Sequence, residues 1–213
     1  MGRRAVTRLI ATEADVAEGA AWLAGVEPRF AAALIQTGPL PLRLAPDGFA
    51  ALFNKIVSQQ VSVASARAIW GRVEAAGLLT PQAVRAASED DLKAVGLSRP
   101  KMKYARALAL ADIDYEALRH ATDTQVIETL TAVSGIGVWT AQVYAMFNLG
   151  RPNVFAPGDL ALQESARMLF ALDARPTPKQ LEQMAQAWSP WRAVAARLLF
   201  TYYRIAKDRD GIT

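Results

Sequence analysis

Asp159 sits in the stretch NVFAPGDLALQ (residues 153–163), directly after Pro157 and Gly158 and at the head of an apolar run. A carboxylate fixed at such a break in the chain can stabilise a developing positive charge, or orient and deprotonate a water. It can equally be a helix N-cap, a position that favours aspartate. A second stretch, VSGIGVWTA (133–141), places Gly135 and Gly137 on either side of Ile136, with a helix-like run straight after. Glycines there permit positive φ and leave no Cβ in the way of an approaching group. With a helix start behind them, and the Thr140 hydroxyl beside it, the turn suits a phosphate. An ordinary helix–helix turn has the same look.

Three other stretches carry polar or aromatic groups in suggestive order. Ser58, Gln59, Gln60 and Ser62 interrupt the otherwise apolar run NKIVSQQVSVASARAIWGR (54–72). Such groups need partners, so they either serve a helix break or face a ligand. GLSRPKMKYARALA (96–109) holds Arg99, Lys101, Lys103 and Arg106 with no acid among them. That is a solvated face or a track for phosphates. AWSPWRAVAARLLFTYYR (187–204) gathers Trp188, Trp191, Phe200, Tyr202 and Tyr203 at helical spacing, which suits a core or a stacking pocket.

The elements that must hold these residues all read as helices. TEADVAEGAAWLAG starts on Thr12 with Asp15 three residues on, and Gly25 closes it. EPRFAAALIQTG is a second, short helix, and the proline-rich GPLPLRLAP (38–46) is a connector. A long helical run from about Gly48 to Ala76 should break at SQQVS (58–62). Thr80 and Pro81 start another helix, and Ser88 starts one that closes on Gly96. Helical segments follow at RPKMKYARALALA, TDTQVIETLTAV, GVWTAQVYAMFNLG, DLALQESARMLFAL, TPKQLEQMAQAW and PWRAVAARLLFTYYRIAK. No run alternates with a period of two, so the expectation is an all-α chain of roughly ten to twelve helices.

Composition narrows the chemistry. The 213 residues carry a net charge of +4, with 52% hydrophobic and 21% charged residues, as in a globular chain with a sizeable core. No apolar run reaches the ~18 residues a membrane span needs, and the N-terminus reads as no signal peptide, so cytoplasmic residence is expected. The absence of cysteine excludes disulfides, thiolate metal sites, iron–sulfur clusters and cysteine nucleophiles. The single histidine, His120, cannot build a multi-histidine metal site and reads as a surface residue near a helix end.

Taken in order, IVSQQVSVASA, GLSRPKMKYARALA, GIGVWTA, PGDL and WSPWRAVAARLL resemble the helix-hairpin-helix DNA glycosylase superfamily, and more narrowly its 3-methyladenine DNA glycosylase II branch. The likeness runs from about Phe49 to Ile205. It implies a single domain over 1–213, built from two helical subdomains flanking a lesion-binding cleft. Residues 1–46 would pack with the C-terminal helices, and 47–150 would form the other subdomain, with its hairpin at about 131–141. The resemblance gives Gly135, Gly137 and Thr140 to DNA phosphates beside the lesion, and adds Lys101 and Lys103 to the DNA-binding face. It implies a structural Na+ or K+ at the main-chain carbonyls of Thr131, Val133 and Ile136, and no cofactor for the chemistry. Gln60 matches the plug left behind when a nucleotide is flipped out, with Ser62 next to it. Trp139, Val143, Phe200, Ser58 and Gln59 match the base pocket. Asp159 matches the family aspartate, which stabilises an oxocarbenium-like sugar and orients water.

Strand-cleaving relatives carry a lysine nucleophile where this chain has Trp139, so base removal without strand cleavage is implied. Val143 stands where relatives can have tyrosine, leaving one aromatic wall missing. The implied partner is double-stranded DNA bearing alkylated purines such as 3-methyladenine and 7-methylguanine, bound by a monomer without any membrane. The competing readings are a non-catalytic helix-hairpin-helix DNA grip and a hydrolase of free nucleosides. Asp159 speaks against the grip, because a carboxylate beside phosphates repels them.

Overall fold

The computed structural model describes residues 8–209, and among these every regular element is a helix. The chain divides into two compact units. One is drawn from Met1–Leu44 and Ala145–Thr213, the other from Ala45–Tyr144.

The first unit holds α1 (Glu13–Val26), α2 (Pro28–Thr37), α11 (Leu160–Leu169), α12 (Pro178–Ala185) and α13 (Arg192–Arg209). Thr12 and Asp15 form a reciprocal capping box at the head of α1. Helix α1 runs one residue past Gly25 to Val26, because Glu27 both ends it and caps α2 by accepting the Arg29 amide. Helix α13 packs against α1, α2 and α11. The centre is aromatic: Phe30 meets Trp188 edge-on at 5.2 Å and Phe170 at 5.6 Å, and Phe155 closes on Trp188 at 5.6 Å. Trp188 is therefore core. Arg197 is fully buried among these helices. Its Nε donates to Leu42 O at 2.9 Å, Nη1 donates to Ala193 O at 2.9 Å, and its guanidinium lies 4.8 Å from the centre of the Phe147 ring. Burial pulls its pKa down to about 10, while carbonyls supply the partners that a buried cation requires.

The second unit is built round α3 (Phe49–Ser58), which packs on α4 (Val63–Ala75) and α7 (Arg99–Leu110). The expected break in the long run falls at residues 59–62. Ser62 is the N-cap of α4, its hydroxyl accepting the Ser65 amide. Helices α5 (Pro81–Ala86) and α6 (Glu89–Ala94) start on the expected caps Thr80 and Ser88. Then come α8 (Tyr115–His120), α9 (Asp123–Thr131) and α10 (Val138–Phe147). With α8 and the separate 3-10 turn Gln186–Trp188, the described residues exceed the expected ten to twelve helices. Helix α8 is six residues long and has too little periodicity to read from sequence; Asp114 starts it by capping the Ala117 amide. His120 is its last residue and is exposed.

The basic residues of α7 divide. Lys101 is buried, and its Nζ donates to Val57 O at 2.6 Å, satisfying the C-terminal end of α3. Arg106 donates to Ala87 O at 2.7 Å and Val84 O at 3.3 Å, tying α5 to α7. Both side chains thus serve backbone carbonyls within the unit, and Lys101 also borders a groove described below. Lys103 and Arg99 stay exposed.

Candidate functional site

The turn between α9 and α10 gives its two glycines different work. Gly135 has φ +94°, and a Cβ there would collide with the ring of Tyr104 on α7. Its carbonyl accepts Gln59 Nε2 at 3.0 Å. Gly135 is therefore a packing position on its Cα side, although its backbone also borders the groove described below. Gly135→Ala combines the left-handed penalty with that collision and should cost about 2 kcal/mol or more of stability. A thermal melt checks this; an unchanged melting temperature would show that Tyr104 swings aside freely. Gly137 is exposed, has no positive φ, and a Cβ built on it meets nothing within 4 Å. Its carbonyl accepts the Ala141 amide at 3.0 Å, so α10 begins at its side. Gly137 thus offers open backbone at the positive end of α10.

Behind that turn, α3 and α10 enclose a cavity of about 630 Å3 lined by Asn54, Lys55, Ser58, Gln59, Gln60, Gly137, Trp139, Thr140 and Val143. Seven residues assigned by resemblance to the pocket or the DNA face converge there: Ser58, Gln59, Gln60, Gly137, Trp139, Thr140 and Val143. Trp139 is 46% exposed, a large ring held at the cavity. Thr140 is buried and lines the cavity, not the outer face of the turn. Ser58 Oγ donates to Asn54 O at 2.9 Å and Gln59 is held by Gly135, so both have local partners. Phe200 belongs to the other unit, where its ring lies 6.2 Å from Phe147 and under the Arg43 guanidinium at 5.8 Å.

A smaller groove of about 430 Å3 shares Gln59, Gln60 and Gly137 with the cavity and adds Ser98, Pro100, Lys101, Tyr104 and Gly135. Gln60 stands between the two, exposed and with φ +55°. A non-glycine residue in that region is uncommon, and it commonly marks a tight turn or a functional constraint. Val61 and Val63 beside it are 38% and 78% exposed. Asn54 in the cavity and Tyr104 in the groove are members that sequence reasoning left out. Asn54 carries a legible signal, since it opens the polar-interrupted run; Tyr104 carries none.

Asp159, in the other unit, caps α11: its Oδ1 accepts the Ala161 amide at 2.9 Å and the Leu162 amide at 3.2 Å. Gln163 Nε2 donates to Pro157 O at 2.8 Å and fixes the loop in front of it. The carboxylate is half-buried and aimed by its own helix. Capping and charge stabilisation are therefore compatible in one residue. At the turn, Val133 O accepts the Ile136 amide at 3.0 Å, and Thr131 Oγ1 donates to Ile127 O at 2.7 Å.

Comparison with known proteins gives the family and the fold. The family model for the HhH-GPD superfamily base excision DNA repair protein matches residues 53–191. The DNA-3-methyladenine glycosylase 2 of Escherichia coli is 32% identical over 174 residues, 74% of this chain and 57% of that protein. Among solved structures, a DNA-3-methyladenine glycosidase from Bacillus halodurans superposes with a TM-score of 0.75 at 31% identity, covering 94% of this chain and 92% of that one. A Schizosaccharomyces pombe 3-methyladenine DNA glycosylase in complex with abasic DNA superposes with a TM-score of 0.76 at 25% identity, over 86% and 95% of the two chains. The chain spans 43% of the length of one curated relative from Bacillus subtilis.

Proposed function

This chain belongs to the HhH-GPD superfamily of base excision DNA repair proteins, and on that footing we propose that it is a monofunctional DNA glycosylase releasing alkylated purines from duplex DNA. The observation that carries the reading is one continuous stretch. Open backbone at Gly137 leads directly into Trp139, whose ring borders a cavity of about 630 Å3. Backbone that grips phosphate and an aromatic face beside a cavity are what an enzyme needs to hold a flipped nucleotide.

Each residue then has a role. The amides after Gly137 and the dipole of α10 take a phosphate, with Lys103 adding charge. Trp139 stacks on the base, with Val143 and Ser58 on the cavity wall; Phe200 is the second aromatic assigned to the base. Gln60, with Ser62, fills the gap in the duplex. Asp159 stabilises the positive charge that builds on the sugar and orients the attacking water. The carbonyls of Thr131, Val133 and Ile136 form a neutral oxygen set in one tight turn, suited to a singly charged hard cation; Val133 O keeps a second lone pair beyond its Ile136 bond. Such an ion supplies positive charge towards a phosphate, and catalysis needs no cofactor. The protein acts as a monomer in the cytoplasm. Among the described residues no helix is long and apolar enough to cross a membrane.

A purine methylated at N3 or N7 is cationic, and its glycosidic bond is already weakened. Trp139 offers an electron-rich face to it. Single-turnover assays on duplexes with one lesion each should show faster release of 3-methyladenine and 7-methylguanine than of hypoxanthine. The strand should break only after alkali or heat, and borohydride should trap no efficient protein–DNA adduct, because Trp139 stands where an amine would be. Hypoxanthine leaving first would overturn selection by lability. A robust adduct would overturn the monofunctional assignment and implicate Lys55, the amine lining the cavity.

A further inference from the structure

Lys55 lies on α3, one turn before the break at residues 59–62, and lines the same cavity as Trp139. It is half-buried, and among the described residues it has no hydrogen-bond or ion-pair partner. The polar neighbours differ: Ser58 is bonded to Asn54, and Gln59 to Gly135. No acid lines the cavity. Helix α7 carries a second lysine against α3, Lys101, but it donates to Val57 O at 2.6 Å and lines the neighbouring groove, not this cavity. An amine without a partner in a cavity is a donor waiting for an acceptor, since buried polar groups that stay unpaired are costly. Burial also holds the Lys55 ammonium below its ordinary pKa, which makes its proton easier to give.

Resting on the glycosylase reading above, we infer that Lys55 sets the balance between neutral and cationic lesions by donating a proton to the departing base. The C1′–N9 bond breaks heterolytically, and its electron pair goes to N9. From a neutral purine such as hypoxanthine this would leave an anion. Lys55 Nζ–H gives its proton to the acceptor atom of the purine on which that charge gathers, and the base leaves neutral. The water oxygen bonds to C1′ and yields its proton to solvent, from which Lys55 is reprotonated. A base already methylated at N7 leaves neutral without a donor, and for it the ammonium is a like charge in a partly dry cavity. Lys55 thus narrows the preference for cationic lesions that lability alone would produce.

The test is Lys55→Met, which keeps the length and apolar stem of the side chain. Single-turnover release is measured from matched duplexes carrying hypoxanthine or 7-methylguanine. Hypoxanthine release should fall on the order of 100-fold, the usual range for removing a general acid. Release of 7-methylguanine should rise a few-fold, which a misfolded variant cannot do. Equal losses on both lesions, or unchanged hypoxanthine release, overturn the inference. A wild-type protein that releases neither base overturns the glycosylase reading itself.

Discussion

Asp159→Asn is expected to lower base release by about three orders of magnitude while leaving the fold and DNA binding intact. Two amides, those of Ala161 and Leu162, bond to Asp159 Oδ1. Asparagine keeps an oxygen there and ranks with aspartate as an N-cap, so α11 should start where it does now. What disappears is the charge. A fixed carboxylate facing a developing oxocarbenium ion is electrostatic stabilisation of the kind whose removal costs about 3–4 kcal/mol, or 10²–10³ in rate, and loss of the water's orienting group adds to that. Affinity for lesion-bearing duplex should hold or improve, because a negative charge near phosphates has been removed. The measurement pairs single-turnover excision with binding by fluorescence anisotropy and a thermal melt. Near wild-type excision would reduce Asp159 to a cap and revive the non-catalytic grip.

Gly137→Val should abolish tight DNA binding without unfolding the chain. Nothing lies within 4 Å of a Cβ built at Gly137, and its φ is not in the left-handed region. The melting temperature should drop by no more than the modest cost of an apolar residue at a helix start, about 1 kcal/mol. On the outside, two methyl groups would occupy the space a phosphate needs beside the first amides of α10. Affinity should weaken at least about tenfold for every sequence and lesion, since phosphate contacts carry no base information. The wild-type affinity should also fall steeply with salt, through counterion release, and the slope should flatten in the variant. Normal binding by Gly137→Val, or binding indifferent to salt, would remove the phosphate role from this turn.

The helices were legible wherever a cap and a period coincided. Thr12, Thr80 and Ser88 begin the helices expected of them, and the polar insert at 58–62 ends one helix and starts the next. Helix α8 was not legible, because six residues hold less than two turns of pattern. At the site, the resemblance assigned Trp139, Val143, Phe200, Ser58 and Gln59 to one base pocket; four of them line one cavity, while Phe200 belongs to the other unit. The roles of individual polar groups were harder. Gly135 and Gly137 look alike in sequence, yet only tertiary contact with Tyr104 shows that one is packed and the other open. Lys101 and Lys103 are likewise two residues apart on one helix, but the first turns inward to a carbonyl of α3 while the second faces solvent. Lys55 stands out in sequence only as a lone cation in an apolar helix, an alternative amine; the cavity shows that it shares a wall with Trp139.

The unit drawn from both chain ends has a consequence for synthesis on the ribosome. Helices α1 and α2 emerge first, yet α13, which packs on both, emerges last. Phe30 on α2 waits for Phe170 and Trp188, made more than a hundred residues later. At about 5–20 residues per second that interval is on the order of ten to thirty seconds. The stretch Ala45–Tyr144 is contiguous and can collapse on itself during the wait. Until α13 is made, α1 and α2 therefore lack the helix that covers them, and they are the surface a chaperone would have to shield.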